Sequence, residues 1–274
     1  MIVSFEVQKI SNHGVGNPIV ARLVIQSSDL LKFLNTDEAN REEILLQCME
    51  LHRRLLGCFD IQSRLLFSRN ETIENTKKIL GEGCNTTPHV VSLQNEVEGF
   101  LLASKIYLRE IARLLNLLFN AELPSEAGIF WNPKGQKSEV AIWAENTFGL
   151  DHEIYKMLTA ESEWVAELVR KRNAVEHPGG WSGDLRVINF ERMPGGGIRP
   201  PVWGREVDGE GEVTDIYSDI SHLIDNMLTV AEDIIALAIG INPVSPYISI
   251  GMIPENERDG NCPVRLRAVL KTIR

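Results

Sequence analysis

Residues 88–120, PHVVSLQNEVEGFLLASKIYLREIARLLNLLFN, decide the fold. Val91, Phe100, Leu101, Ile106, Ile111, Leu114, Leu115 and Leu118 recur with the period of an α-helix and form one wide apolar face. Pro88 precedes the stretch; Pro124 and a glycine loop over 128–135 end it. It is the longest helix the pattern predicts.

Similar periodicity extends on both sides. Upstream, Ile44, Leu45, Met49, Leu51, Leu55, Leu56 and Phe59 predict a helix to about residue 66, with Asp37 as its N-cap. A shorter helix is expected over 71–80, stopped by Gly81 and Gly83. Downstream, helices fit 138–148 and 152–177, divided by Gly149, and 213–239. Residues 185–190 read as a strand, 193–204 as a Gly/Pro loop, and 247–253 and 264–270 as strands. The β-branched runs 2–7 and 19–25, around Ser11-Asn12-His13-Gly14, read as two short strands.

The helices adjoin through short loops, so an antiparallel arrangement is the simplest packing. The expected fold is mainly α: an antiparallel four/five-helix bundle over 31–242 with a β insert near 184–210. Segments 1–30 and 243–274 are expected to add accessory β strands, the terminal ones pairing in a small sheet.

Composition narrows the function. A net charge of −10 argues against a general nucleic-acid coat, whose affinity comes from neutralising phosphates. Any such site must be local. No apolar run reaches the length of a bilayer span, and the N-terminus lacks a signal-peptide pattern, so no membrane association is expected. Cys48, Cys58, Cys84 and Cys262 form no CxxC pair, which suits free thiols and a cytoplasmic setting. The spacings of Cys48, His52, Cys58, Cys84 and His89 match no common zinc module. Gly195-Gly196-Gly197 has no following Lys-Ser/Thr and is not a phosphate-cradling loop. No metal and no cofactor are expected.

The chemistry-bearing stretch is Arg172-Asn173-Ala174-Val175-Glu176-His177, followed by Pro178-Gly179-Gly180. It places a permanent cation, an amide and an imidazole at a helix end, groups suited to phosphate chemistry. On a helical wheel Arg172 falls inside the apolar stripe of Val165, Leu168 and Val175, where an arginine must be paired or used. Pro178 biases His177 out of helical geometry. Arg170, Lys171 and Arg186 lie in the same basic segment and are candidate substrate contacts. Lys105, Arg109 and Arg113 form a ridge at i, i+4 and i+8 on the 88–120 helix, read as a solvated face, with the extension of an RNA track as the alternative. A plainer reading also stands: an Arg172–Glu176 ion pair, His177 as a helix C-cap and Asn173 as a surface residue.

An Arg-Asn-x-x-x-His signature late in a helix of an all-α bundle resembles the HEPN superfamily (higher eukaryotes and prokaryotes nucleotide-binding domains). The resemblance spans the helices from about 37 to 240, but its specific content is this one motif. It implies a HEPN-like bundle and a metal-independent endoribonuclease, a toxin or defence protein. Two protomers would share one cleft as a homodimer, with RNA as substrate and an antitoxin protein as partner. It further implies that His177 is the general acid or base, that Arg172 stabilises charge on the phosphorane, and that Asn173 orients the phosphate or the His ring. The product would be a 2′,3′-cyclic phosphate. The alternative it leaves open is a non-catalytic HEPN-like module that binds RNA, a nucleotide or a protein. The strand after Gly180, the Gly/Pro loop and the terminal strands depart from the minimal bundle.

Overall fold

The apolar face of 88–120 folds as helix α4, Leu93–Phe119, in a computed structural model that describes residues 11–83, 85–132 and 136–271. Asn120 adopts a left-handed conformation and ends it. Before it runs α3, Glu38–Gly81, whose N-cap Asp37 accepts a hydrogen bond from the Asn40 N–H. Arg64 reaches Glu96 at 2.8 Å and Gln47 reaches Glu110 at 3.0 Å. Numbers rise along one helix as they fall along the other, so α3 and α4 are antiparallel.

The same test orients the other long helices, α7 (Ser162–Glu176) and α8 (Ile216–Ile241). Lys105 pairs with Glu176, whereas Leu108 and Ile111 border the same small cavity as Val165, so α7 runs antiparallel to α4. Arg69 stacks over Tyr217 at 4.8 Å, and the Asn35 N–H donates to the Asn242 carbonyl at 2.9 Å, so α8 runs antiparallel to α3. Directions therefore alternate through α3, α4, α7 and α8, and the shared core lies between them. The chain is mainly helical. Among the described residues, no helix is long and apolar enough to cross a membrane.

Several expectations are corrected. Residues 19–25 form no strand. They belong to a helical run: α1 (Pro18–Val20), a π-helical turn (Ala21–Gln26) and α2 (Ser27–Leu30). Asn17 caps its first turn and Pro18 opens it, a helix-start signal that outweighs the β-branched composition. Burial of Ile19, Leu23 and Leu30 in the core supplies the driving force. The strand expected over 2–7 lies outside the described residues. The separate helix over 71–80 is the end of α3, which is longer than α4, because residues 67–70 contain no Gly or Pro to break it. The helix expected over 152–177 is two, α6 (Glu153–Ala160) and α7, with Glu161 at the junction. Helix α5, Glu139–Phe148, ends at Gly149, whose φ of +88° suits glycine.

The insert is more ordered than a loop. β1 (Asp184–Ile188), β4 (Val202–Glu206) and β5 (Val213–Asp215) form an antiparallel sheet in the order β1-β4-β5. Between β1 and β4, β2 (Glu191–Arg192) and β3 (Ile198–Arg199) pair across the Gly195–197 turn, so the expected 193–204 loop is largely a hairpin. Trp203 anchors the sheet. It is fully buried, donates Nε1 to Asp219 at 2.7 Å and carries the Lys171 ammonium 4.9 Å from its ring. At the C-terminus β6 (Ile248–Met252) pairs antiparallel with β7 (Leu266–Leu270).

A buried polar knot ties this hairpin to the helices. Glu232 of α8 accepts from Gln26 at 2.6 Å and from Arg22, and pairs with Arg265 at 3.0 Å. Gln26 in turn accepts from the backbone N–H groups of Arg265 and Leu266. Cys48 and Cys58 are free and buried, and burial pushes both thiols up to about 12. Cys84 lies outside the described residues.

Candidate functional site

Three consecutive cations on α7 point three ways, as an advance of about 100° per residue requires. Arg170 borders a cavity of about 340 Å³ beside Trp131 and Tyr155. Lys171 turns to Trp203 and a cavity of about 580 Å³ against the insert. Both pair with Glu167, at 3.6 and 3.2 Å, and Arg205 reaches the same carboxylate at 3.6 Å. Arg186 lies on β1, 3.6 Å from Glu206. None of Arg170, Lys171 and Arg186 lines the cavity that holds Arg172 and His177, so the structure does not bring the expected substrate contacts to it.

That cavity, about 680 Å³, lies between α4, α7 and the 124–128 turn. Its polar walls are Lys105, Arg109, Arg172, Glu176, Glu126 and His177. Arg172 is buried, 8% exposed, and pairs with Glu176 one turn later. Lys105 donates to both oxygens of Glu176, at 2.8 and 3.1 Å. Burial alone would raise the Glu176 carboxyl. The hydrogen bond from Lys105 and the charges of Arg172 and Lys105 outweigh it and hold the group below its ordinary value. Arg109 donates Nε to the Ser125 carbonyl at 3.1 Å, which ties α4 to the turn.

His177 is exposed and caps α7, its N–H donating to the Asn173 carbonyl at 2.8 Å. Its φ of −136° and ψ of +65° depart from the helix, as a following proline demands. The chain then turns back sharply. The Gly180 N–H donates to the His177 carbonyl at 3.0 Å, and a Cβ at Gly180 would stand 2.8 Å from that oxygen. Only glycine fits there. The turn therefore holds His177 at the cavity wall. Asn173 is half-buried, and its side chain does not line the cavity.

Two of the three features of the plainer sequence reading are present, the Arg172–Glu176 pair and the His177 cap; Asn173 is half-buried and not a surface residue. What the pair and the cap leave is a pocket with three cations against two carboxylates and an imidazole on its wall. Arg172 Nε is buried with no hydrogen-bond partner among the described residues. Such a set suits an anionic oxygen ligand.

Of the two sequence readings of the Lys105–Arg109–Arg113 ridge, a wholly solvated face does not hold. Lys105 and Arg109 line the cavity, and only Arg113 of the ridge turns away, to Glu110 at 2.9 Å. Their i,i+4 spacing was the available signal, since it places two cations on one helix face. Among the described residues, no three His, Cys, Asp or Glu side chains gather to hold a metal ion. Comparisons with family models, curated proteins and solved structures found no match.

Proposed function

We propose that this protein is a metal-independent endoribonuclease of the HEPN type. The observation that carries the reading is that Arg172 and His177 line one cationic cavity with Lys105 and Arg109. In this reading an RNA phosphate enters the cavity. The 2′-hydroxyl of the preceding nucleotide attacks phosphorus, and the 5′-oxygen of the next leaves. His177 moves a proton at one of these oxygens. Arg172 and Lys105 stabilise the negative charge that builds on the phosphorane, for which cations already in place need no reorganisation. The products are a 2′,3′-cyclic phosphate and a 5′-hydroxyl. The proposed assembly is a homodimer whose two cavities meet, with the helices forming a HEPN-like bundle. A toxin or defence role with an antitoxin protein as partner belongs to the same proposal.

A second reading has its own support. Arg172 is engaged by Glu176, and Asn173 is outside the cavity. Both fit a non-catalytic HEPN-like module that holds RNA, a nucleotide or a protein without cutting. One experiment separates the two. Purified protein is incubated with mixed RNA in EDTA, and 3′ ends are analysed. The ribonuclease reading expects cyclic-phosphate ends that His177→Ala abolishes. Absence of cleavage together with RNA binding favours the module, and cleavage unaffected by His177→Ala discards the proposed site.

A further inference from the structure

The chain leaves the cavity in two directions, and the two extensions meet in a pair of tryptophans. Trp131 lies three residues beyond Gly128 of one wall; Trp181 lies four residues beyond His177 of the other. Their ring centroids are 6.1 Å apart with the planes inclined at 54°. Trp181 is 70% exposed, unusual for a side chain of that size. Trp131 borders the neighbouring cavity with Arg170, Lys137 and Tyr155, and Lys137 lies over the Tyr155 ring at 5.4 Å. An open aromatic face thus stands a few residues along the chain from the cationic cavity, with further cations beyond it. Alternating cationic and aromatic groups along one path match the alternation of phosphates and bases in a single strand.

We propose that Trp131 and Trp181 form a stacking platform for the base of the nucleotide next to the phosphate held in the Arg172–His177 cavity. The inference rests on the ribonuclease reading and extends it to single-stranded RNA engaged through a base face. Stacking on an indole accepts any base, so the platform supplies position and affinity with little sequence preference. Trp131, half-buried against the core, backs the platform; Trp181 supplies the open face.

The test uses the full chain and a labelled single-stranded 2′-O-methyl RNA, which has no attacking hydroxyl, so binding is read by anisotropy apart from cleavage. Trp181→Ala is expected to weaken binding by about 5- to 150-fold, the range for loss of one stacked base. Trp181→Phe should recover most of the affinity. Moving an abasic nucleotide along the strand should reveal one position that weakens the wild type and leaves Trp181→Ala unaffected. Wild-type binding that Trp181→Ala matches, or equal weakening by the Phe and Ala variants, overturns the platform and leaves the ribonuclease reading standing. A wild type that binds no strand overturns both. Thermal unfolding of each variant should match the wild type, since Trp181 is exposed.

Discussion

Arg172 and Glu176 sit one turn apart on α7 and form an ion pair on the cavity wall, and Lys105 of α4 closes on the same carboxylate at 2.8 Å. Through Lys105, the Glu176 carboxylate joins α4 to α7. Glu176→Ala leaves the Arg172 guanidinium nearly buried without its partner, and should destabilise the fold by about 1–3 kcal/mol. Lys105→Ala removes a more exposed partner and should cost less than about 1 kcal/mol. Urea midpoints at constant slope would show this order. A larger effect from Lys105→Ala would contradict it.

The same carboxylate predicts an acid dependence. Its folded-state value is depressed below 4.5, so its stabilising contribution is complete above the unfolded value and is lost as pH falls through the folded one. The stability difference between wild type and Glu176→Gln should be flat from pH 7 to about 5.5 and should shrink below about 4.5. A difference that grows on acidification would reverse the sign argued here.

Within the ribonuclease reading, His177→Ala should lower the cleavage rate by about 10²- to 10⁴-fold, the usual range for a positioned proton-transfer group. Its unfolding midpoint should not move, because the ring is exposed and backbone atoms make the cap. Asn173→Ala should cost less than His177→Ala, since its side chain does not line the cavity. Single-turnover rates on one RNA would rank them. An Asn173→Ala defect as large as that of His177→Ala would mean that the amide reaches the substrate.

Away from the cavity, Glu232 is the most consequential buried charge. Its side chain is fully buried and engages Arg22, Gln26 and Arg265. Glu232→Ala leaves two arginines without their shared carboxylate and should destabilise by about 3–5 kcal/mol. Hydrogen exchange should rise first in β6 and β7, which Arg265 and Gln26 tie to the helices. Uniform exchange across the chain would mean that the hairpin is held by other contacts.

Much of the helical order is local and could be read directly. The apolar periodicity of Phe100, Leu101, Ile111, Leu114 and Leu115 gave α4, and Asp37 marked the start of α3 to the residue. β1, β6 and β7 also fell where short β-rich runs between turns placed them. The misses share a cause. Residues 19–25 have strand composition, but an Asn-Pro start and burial against the helices decide for a helix. Residues 193–204 look too rich in Gly and Pro for order, yet cross-strand hydrogen bonds and the burial of Trp203 organise most of them. Propensity is weak beside such tertiary terms.

By itself the sequence determined what a helix wheel and a turn can express: Arg172 on the apolar stripe, its i,i+4 pairing with Glu176, and the helix end at His177 imposed by Pro178. These depend on spacings of a few residues, which local geometry sets. Only the tertiary structure decided which cations share a cavity. It separated Arg170 and Lys171 from Arg172, their neighbour in the chain. It brought in Lys105 and Arg109, more than sixty residues away. The reason is physical: adjacent side chains on a helix diverge by about 100°, whereas packing α4 against α7 joins faces with no local relation in the chain.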